Sequence, residues 1–260
     1  MQKFIYQLLV FSIILITIGC SSSDNSTNNT PTTKTYFPMK EGNYWVYNSV
    51  ETDPNTNQVT TSRDSSIITG KFDVLGKMAY KFLNFADGEK TEDSHEYVEN
   101  EQLYRLLLEI IPGGLFNIPG GQIENKWLLV ANMNSSNLDG YEFSFPEVPF
   151  DFGGTKINIS GKVKIEGKKG DKVVLSNIMG KEIIAQKFTH NFIINAEGKL
   201  PNIPLPIKLT EIIIPYHTYY AEGIGLVKSE TESADVSIAG AFNFKTPRSE
   251  STLVNYKINN

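Results

Sequence analysis

The chain has 260 residues, with 24 Lys and Arg against 29 Asp and Glu and a formal charge of −5 at pH 7. A mildly acidic balance excludes the cationic excess with which proteins neutralise a nucleic-acid backbone, so no nucleic-acid partner is expected. At 40% hydrophobic residues the chain can build an ordinary core, and its single cysteine excludes an internal disulfide.

The N-terminus is a processing segment. Lys3 precedes the apolar run Phe4 to Ile18 and the small residue Gly19, and that run falls short of the roughly 20 residues needed to span a bilayer. Residues 1–19 therefore read as a signal peptide. Thr17-Ile18-Gly19-Cys20 resembles the lipobox of bacterial lipoproteins, with Thr17 where leucine is usual. The resemblance implies cleavage before Cys20 and acylation of its thiol by palmitate-like chains, making the lipid bilayer the first expected partner. Burial of two or three chains at about 0.8 kcal/mol per CH₂ renders such attachment effectively permanent. Ser21 to Thr35 carries no apolar side chain except Pro31 and cannot offset its own ordering entropy. Residues 20–35 are thus expected to form a lipidated flexible tether, with an average reach of roughly 20 Å. Ser21 resembles the sorting signal of outer-membrane lipoproteins. Asp24 is a sparse version of the charged cluster that accompanies surface export, so the periplasmic face and the cell surface both stay open.

From Tyr36 onward the apolar pattern has a period of two, which predicts a single β-rich domain over residues 36–260. In Ile157 to Glu166, Ile157, Ile159, Val163 and Ile165 share one face and Asn158, Ser160, Lys162, Lys164 and Glu166 the other, the pattern of a half-buried antiparallel strand. Gly167-Lys-Lys-Gly-Asp171 reads as a turn and Lys172 to Ser176 as the return strand. The same alternation predicts strands over 44–52, 59–73, 78–85, 95–98, 103–108, 127–133, 182–194, 216–221, 226–232, 236–244 and 251–258. Turn formers separate several of them, including Asp53 to Asn57, Ala86-Asp-Gly88 and Ala196-Glu-Gly198. Glu101 to Ile111 is the best helical candidate. This grammar predicts a mainly β, antiparallel barrel or half-open barrel with long apolar loops, similar in architecture to lipid carriers; a β-sandwich is the alternative.

Three connections are apolar where loops are usually polar: residues 111–121, 141–154 and 200–214. Their Pro and Gly residues argue against regular central strands. They carry Leu115, Phe116, Phe143, Phe145, Phe150, Phe152, Ile203 and Leu205, which either plug the core or rim a cavity and contact an apolar ligand or partner.

Known catalytic and cofactor patterns are sparse. Gly70 to Lys77 has the GxxxxGK spacing of a phosphate-binding loop, but Met78 stands where Ser or Thr would hold Mg²⁺ and a strand follows, so a hairpin turn is expected. His95, His190 and His217 share no metal-ligand spacing. His190 alternates with Phe188 and Phe192 and should face the core, while Asp93, His95 and Glu96 read as a solvated cluster. There is no GxSxG elbow. Carboxylate pairs assembled across strands remain open. No cofactor, metal or catalytic residue is nominated.

Two stretches resemble a group of uncharacterised outer-membrane lipoproteins of the Bacteroidota. Tyr36-Phe-Pro-Met-Lys-Glu-Gly-Asn-Tyr-Trp-Val-Tyr47 is similar to their FPxxxGxYWxY opening, and Tyr219-Tyr-Ala-Glu-Gly-Ile-Gly-Leu-Val-Lys228 to their YAxGxGLV segment. Physically both read as scaffolding: Gly42 for a turn, aromatic residues on both faces of the strand that follows, and Gly223 and Gly225 for positive φ or close approach. The alternative is an aromatic ligand platform of Tyr44, Trp45 and Tyr219. The leading expectation is a non-enzymatic envelope lipoprotein, anchored to the outer membrane through Cys20, that binds an apolar or amphiphilic molecule or an envelope partner. The rival is a secreted hydrolase of glycans or lipids.

Overall fold

The computed structural model describes residues 35–110, 124–152, 155–199, 207–208, 211–238 and 242–259. In chain order the strands are β1 Tyr44–Asp53, β2 Gln58–Val74, β3 Lys77–Ala86, β4 Glu89–Lys90, β5 Ser94–Glu99 and β6 Gln102–Leu106. After the one-turn helix α1 Leu107–Ile110 come β7 Trp127–Asn132, β8 Tyr141–Phe152, β9 Thr155–Ile178, β10 Lys181–Lys199 and β11 Ile207–Lys208. The last five are β12 Ile212–Ala221, β13 Gly225–Thr231, β14 Asp235–Ile238, β15 Phe242–Lys245 and β16 Arg248–Lys257.

One antiparallel sheet runs in the order β7-β6-β5-β3-β2-β1-β16-β13-β12-β10-β9-β8, with β4 and β11 as short additions and β14-β15 as a separate hairpin. It curls into a nearly closed barrel with one unsealed seam. The seam lies between the terminal strands β7 and β8, and the chain joining them follows β9. Asn137 bridges Lys168, and the Leu138 and Lys169 amides donate to the Gly167 and Ser136 carbonyls at 3.3 and 2.9 Å.

Antiparallel register puts the β2–β3, β5–β6, β9–β10 and β12–β13 turns at one end of the barrel and the β1–β2 turn at the other. The two longest hairpins outrun their neighbours. β1 pairs with β2 no further than Ile67 and β5 meets β3 only from Tyr80 to Phe82, so beyond these rungs the strands of the tip around Leu75 pair only with each other, with the Val74 carbonyl accepting from the Trp127 indole at 3.2 Å. Likewise β12 meets β10 only from Gln186 onward; beyond it one face of the hairpin packs on the barrel, with Ile178 buried and Met179 against the Trp45 cluster.

Several boundaries differ from expectation, each for a local reason. Gly167 to Asp171 is not a turn, because β9 runs unbroken past it. A Cβ at Gly167 would sit 2.8 Å from the Leu138 Cβ and 3.1 Å from the His190 ring, so this glycine serves close packing. Residues 141–152 form a strand despite Pro146 and Pro149. β8 ends the sheet, where a missing donor costs least, and the register slips between Phe145 and Val148, around Pro146. Ile212 to Ile214 belong to β12 and not to a loop; Pro215 sits one residue beyond the last rung with β13, Tyr216↔Thr231. Residues 236–244 form two strands, β14 and β15, paired as a hairpin. Of the helical candidate over 101–111, only Leu107 to Ile110 is helical.

The interior holds two packed clusters. One centres on Leu103, Leu107, Val163, Ile165, Phe188, Phe192 and Ile214, the other on Trp45, Ile68, Phe82, Val227 and Leu253. His190 faces inward at 2% exposure. Among the described residues neither ring nitrogen has a well-aligned partner, and burial drives its pKa down to about 4, with only partial relief from the Leu129 backbone. The unfolded chain therefore binds a proton between pH 6.5 and about 4 that the folded chain refuses. Stability should fall as pH drops through that window, by up to about 3 kcal/mol. His190→Leu should flatten this limb in a series of urea titrations; an unchanged slope would refute the assignment.

Candidate functional site

The two stretches read as scaffolding come together. Thr35 accepts the Gly223 amide on its carbonyl at 2.8 Å, the Trp45 indole donates to the Ile224 carbonyl at 2.6 Å, and the Tyr47 hydroxyl donates to the Leu226 carbonyl at 3.0 Å. Gly225, at φ +97, brings its backbone to within 3.4 Å of Trp45 and Pro38 for any added Cβ. Gly42, at φ +80, makes the expected turn. Tyr219 does not join Trp45 in a platform: it is 6% exposed and donates its hydroxyl to Glu230 at 2.5 Å.

Beside this junction lies a half-open cavity of about 710 Å³, within the 300–1,000 Å³ typical of small-molecule sites. Its apolar lining includes Phe37, Met39, Trp45, Phe82, Phe85 and Leu226. The polar part of the wall is Asp64, Ser66, Asn84, Ser94, Glu96, Arg105 and Glu109, interleaved with the apolar part: Ser66 stands opposite Trp45 across β1 and β2, and Ser94 opposite Phe82 across β3 and β5. The rings of Tyr47 and Tyr220 complete the lining.

The polar wall is pre-organised by strand alternation. Asp64 accepts hydrogen bonds from Ser62, at 2.9 Å, and from Ser49. Ser66 donates to the Asn84 side-chain oxygen at 2.6 Å, and the Asn84 amide donates to Ser94 at 3.0 Å. Glu96 and Arg105 are direct neighbours across β5 and β6, with Arg105 Nε 2.9 Å from Glu96 Oε1 and side-chain exposures of only 19% and 14%. Burial raises the Glu96 pKa; Arg105 opposes the shift and Glu109 adds to it. The same pair holds the Arg105 guanidinium charged against its own burial. Burial keeps the Tyr47 and Tyr220 hydroxyls protonated, with Glu96 reinforcing the effect. Glu109 accepts from the His95 amide at 2.8 Å and lies 2.9 Å from the His95 ring nitrogen.

Asp93, His95 and Glu96 therefore do not act as one cluster. Asp93 turns to Lys81 and Lys90, at 2.7 and 3.1 Å, which hold its carboxyl below the usual range. His95 turns to Glu109 and Glu96 enters the cavity. No metal-ligating group of His, Cys, Asp and Glu occurs among the described residues. Gly70 to Lys77 makes the expected hairpin turn.

A second polar chain has the residue types of a nucleophile relay but not its layout. Thr189 Oγ1 lies 2.9 Å from His217 Nδ1, and His217 Nε2 lies 2.8 Å from Glu232 Oε1. The hydroxyl is the buried member, at 7% exposure, and the carboxylate the open one, at 57%. A nucleophile needs the reverse, and none of the three lines the cavity.

Of the apolar contacts nominated from sequence, Phe143 and Phe145 are buried core residues, 8% and 3% exposed, and do not line the cavity. Phe150 and Phe152 belong to β8, with side chains outside the described residues; Cys20, Leu115, Phe116, Ile203 and Leu205 lie outside them altogether. The cavity residues missed from sequence carry one weak signal: Arg105 sits in Leu103-Tyr-Arg-Leu-Leu107, a lone charge among apolar neighbours.

No family model matches the sequence, and no curated protein matches it. The solved structures it resembles include a lipoprotein candidate from Parabacteroides distasonis, with 13% identity, a TM-score of 0.45, and coverage of 86% of this chain and 99% of that one. Another is a candidate exported protein with a YmcC-like fold from Bacteroides fragilis, at 13% identity and a TM-score of 0.40 over the same shares. Likenesses this distant carry no functional argument.

Proposed function

We propose that this protein is a membrane-anchored envelope lipoprotein that holds an amphiphilic molecule in its barrel cavity and performs no chemistry on it. The observation that carries the reading is one 710 Å³ cavity lined by aromatic and aliphatic side chains together with hydrogen-bonding ones. Such a site suits a ligand with an apolar body and a polar head. Binding is favoured over hydrolysis because the three carboxylates lining the cavity are already engaged, Glu96 by Arg105, Glu109 by His95 and Asp64 by Ser49 and Ser62. The lipobox-like stretch ending at Cys20 supports the anchor, and outer-membrane attachment follows from the resemblance of Ser21 to a sorting residue.

Native mass spectrometry of the gently isolated protein tests the cavity. A co-purifying mass of lipid size is expected in the wild type and should be lost in Ser66→Trp, which fills part of the cavity. A ligand-free wild type, or a Ser66→Trp protein that retains the mass, would defeat the cavity reading. Cys20→Ala should move the protein out of the membrane fraction; continued acylation labelling would defeat the anchor.

A further inference from the structure

Four hairpins close through two-residue loops whose residues both have positive φ: Leu75-Gly76, Asp87-Gly88, Asn100-Glu101 and Met179-Gly180. Such loops favour Asn, Asp or Gly at their first position, because a bulky side chain is strained there. Asp87 and Asn100 follow the rule. Leu75, at φ +50, and Met179, at φ +53, break it.

The two exceptions tip the two hairpins that outrun the barrel at the same end. Around Leu75, which is 60% exposed, Phe72 and Met78 are 49% and 58% exposed. They occupy successive rungs, Phe72↔Ala79 and Asp73↔Met78, and so lie on opposite faces of the hairpin. Behind Met179, Val174 and Ile184 face each other across the strands at 60% and 64% exposure. The tip of the β1–β2 turn at the other end is polar, Asp53-Pro-Asn-Thr-Asn57.

We infer that the exposed apolar side chains of these two hairpins, Phe72, Leu75 and Met78 on one and Val174 and Ile184 on the other, are a membrane-docking face that inserts into the outer part of a lipid bilayer, while Met179 packs on the barrel. A flat protein surface could cover one face of the Leu75 hairpin, whereas a bilayer surrounds both. Lys71, Lys77 and Lys81 stand behind the tip with their ammonium groups 4.5, 5.2 and 6.0 Å from the rings of Tyr80, Tyr97 and Phe72, placed to reach the headgroup level. Asp73, Asp93 and Glu99 balance their charge, so apolar burial and not attraction to anionic lipid drives the contact.

The start of the folded chain points the same way. Thr35 donates to Glu101 at 3.2 Å, in the β5–β6 turn, and Glu99 beside that turn pairs with Lys77 at 3.5 Å. The described chain therefore begins at the end that bears the apolar tips, and the tether expected over residues 20–35 has an average reach of roughly 20 Å. This inference rests on the anchoring part of the proposed function, not on its cavity.

Acylation of Cys20 leaves no other thiol, so Leu75→Cys, Ile184→Cys and Thr56→Cys each accept one fluorophore. In the acylated protein reconstituted into phosphatidylethanolamine and phosphatidylglycerol vesicles, a lipid-borne quencher should dim labels at positions 75 and 184 several-fold more than at 56. Equal quenching at the three positions overturns the docking face while leaving the anchor standing. Failure to float with vesicles overturns both. Leu75→Asn should raise Tm in detergent while lowering quenching at position 184. A fall in Tm would make the apolar choice structural and overturn the inference.

Discussion

Arg105→Met is expected to lower stability by about 3–5 kcal/mol, because it leaves the Glu96 carboxylate buried without its cation. The loss should appear as a lower urea midpoint at pH 7 with an unchanged slope. Replacing both partners, Glu96→Leu with Arg105→Met, should recover most of it, since an apolar pair of similar volume carries no desolvation cost. The pH dependence has a definite sign. Burial raises the Glu96 pKa above its unfolded value, so this group costs stability above its folded pKa and the cost is relieved as pH falls through that value. Without Arg105 the folded pKa moves higher still, and the deficit of the variant should shrink on acidification. A deficit that is constant with pH would mean that Arg105 contributes packing and not charge. The double variant also bears on ligand loading: if the polar wall holds the head of an amphiphile, the protein should fold and yet lose its co-purifying mass.

Gly161→Val should be the more damaging change. Gly161 lies in β9 opposite Ala196 of β10, and a Cβ there would fall within 2.7 Å of the Ala196 Cα and closer still to the Asn195 carbonyl oxygen. These are backbone atoms, so no side-chain rotation relieves the clash. The expected cost is about 3 kcal/mol or more, at the upper end for overpacking, read as loss of cooperative unfolding or a sharply lower Tm. Gly170→Ala is the control. Its Cβ would meet Lys187 atoms no closer than 3.6 Å and should be tolerated. Equal tolerance of both changes would show that β9 and β10 are less closely apposed than they stand here.

The strands were largely legible from sequence because alternation is a local property. Ile157, Ile159, Val163 and Ile165 declare one face of β9 without knowledge of any partner. What misled was glycine, whose turn-forming use and close-packing use look alike in sequence. Gly167 and Gly170 bracket a lysine pair in the manner of a turn, yet the strand passes straight through and the space of the absent Cβ goes to Leu138 and His190. Proline misled in the same way in β8, since its cost depends on whether the strand is at an edge, which is a property of topology.

The cavity was illegible for a different reason. Asp64, Ser66, Asn84 and Glu96 occupy alternating polar positions on three strands, the pattern that ordinarily marks the solvent side. Only the curl of the sheet turns that side inward. The apolar connections drew attention because their composition is unusual, but Phe143 and Phe145 do the commonplace work of filling the core. The two stretches that carry the resemblance meet at the cavity, since Phe37, Trp45, Tyr47, Tyr220 and Leu226 all line it, although the residues themselves had suggested scaffolding first and an aromatic platform of Tyr44, Trp45 and Tyr219 second.

The pairing of β1 with β16 has a consequence for the order of folding. Tyr44 sits opposite Lys257 and Thr52 opposite Arg248, so the first strand of the barrel has only β2 beside it until the last strand arrives. Closing so long a loop places the chain among slow, high-contact-order folders. A chain released C-terminus last therefore cannot complete its barrel early, which suits the export that the proposed lipoprotein anchoring entails. Trimming the final ten residues should leave β1 and β13 as bare edges facing each other across a gap, a species prone to pair with its own kind.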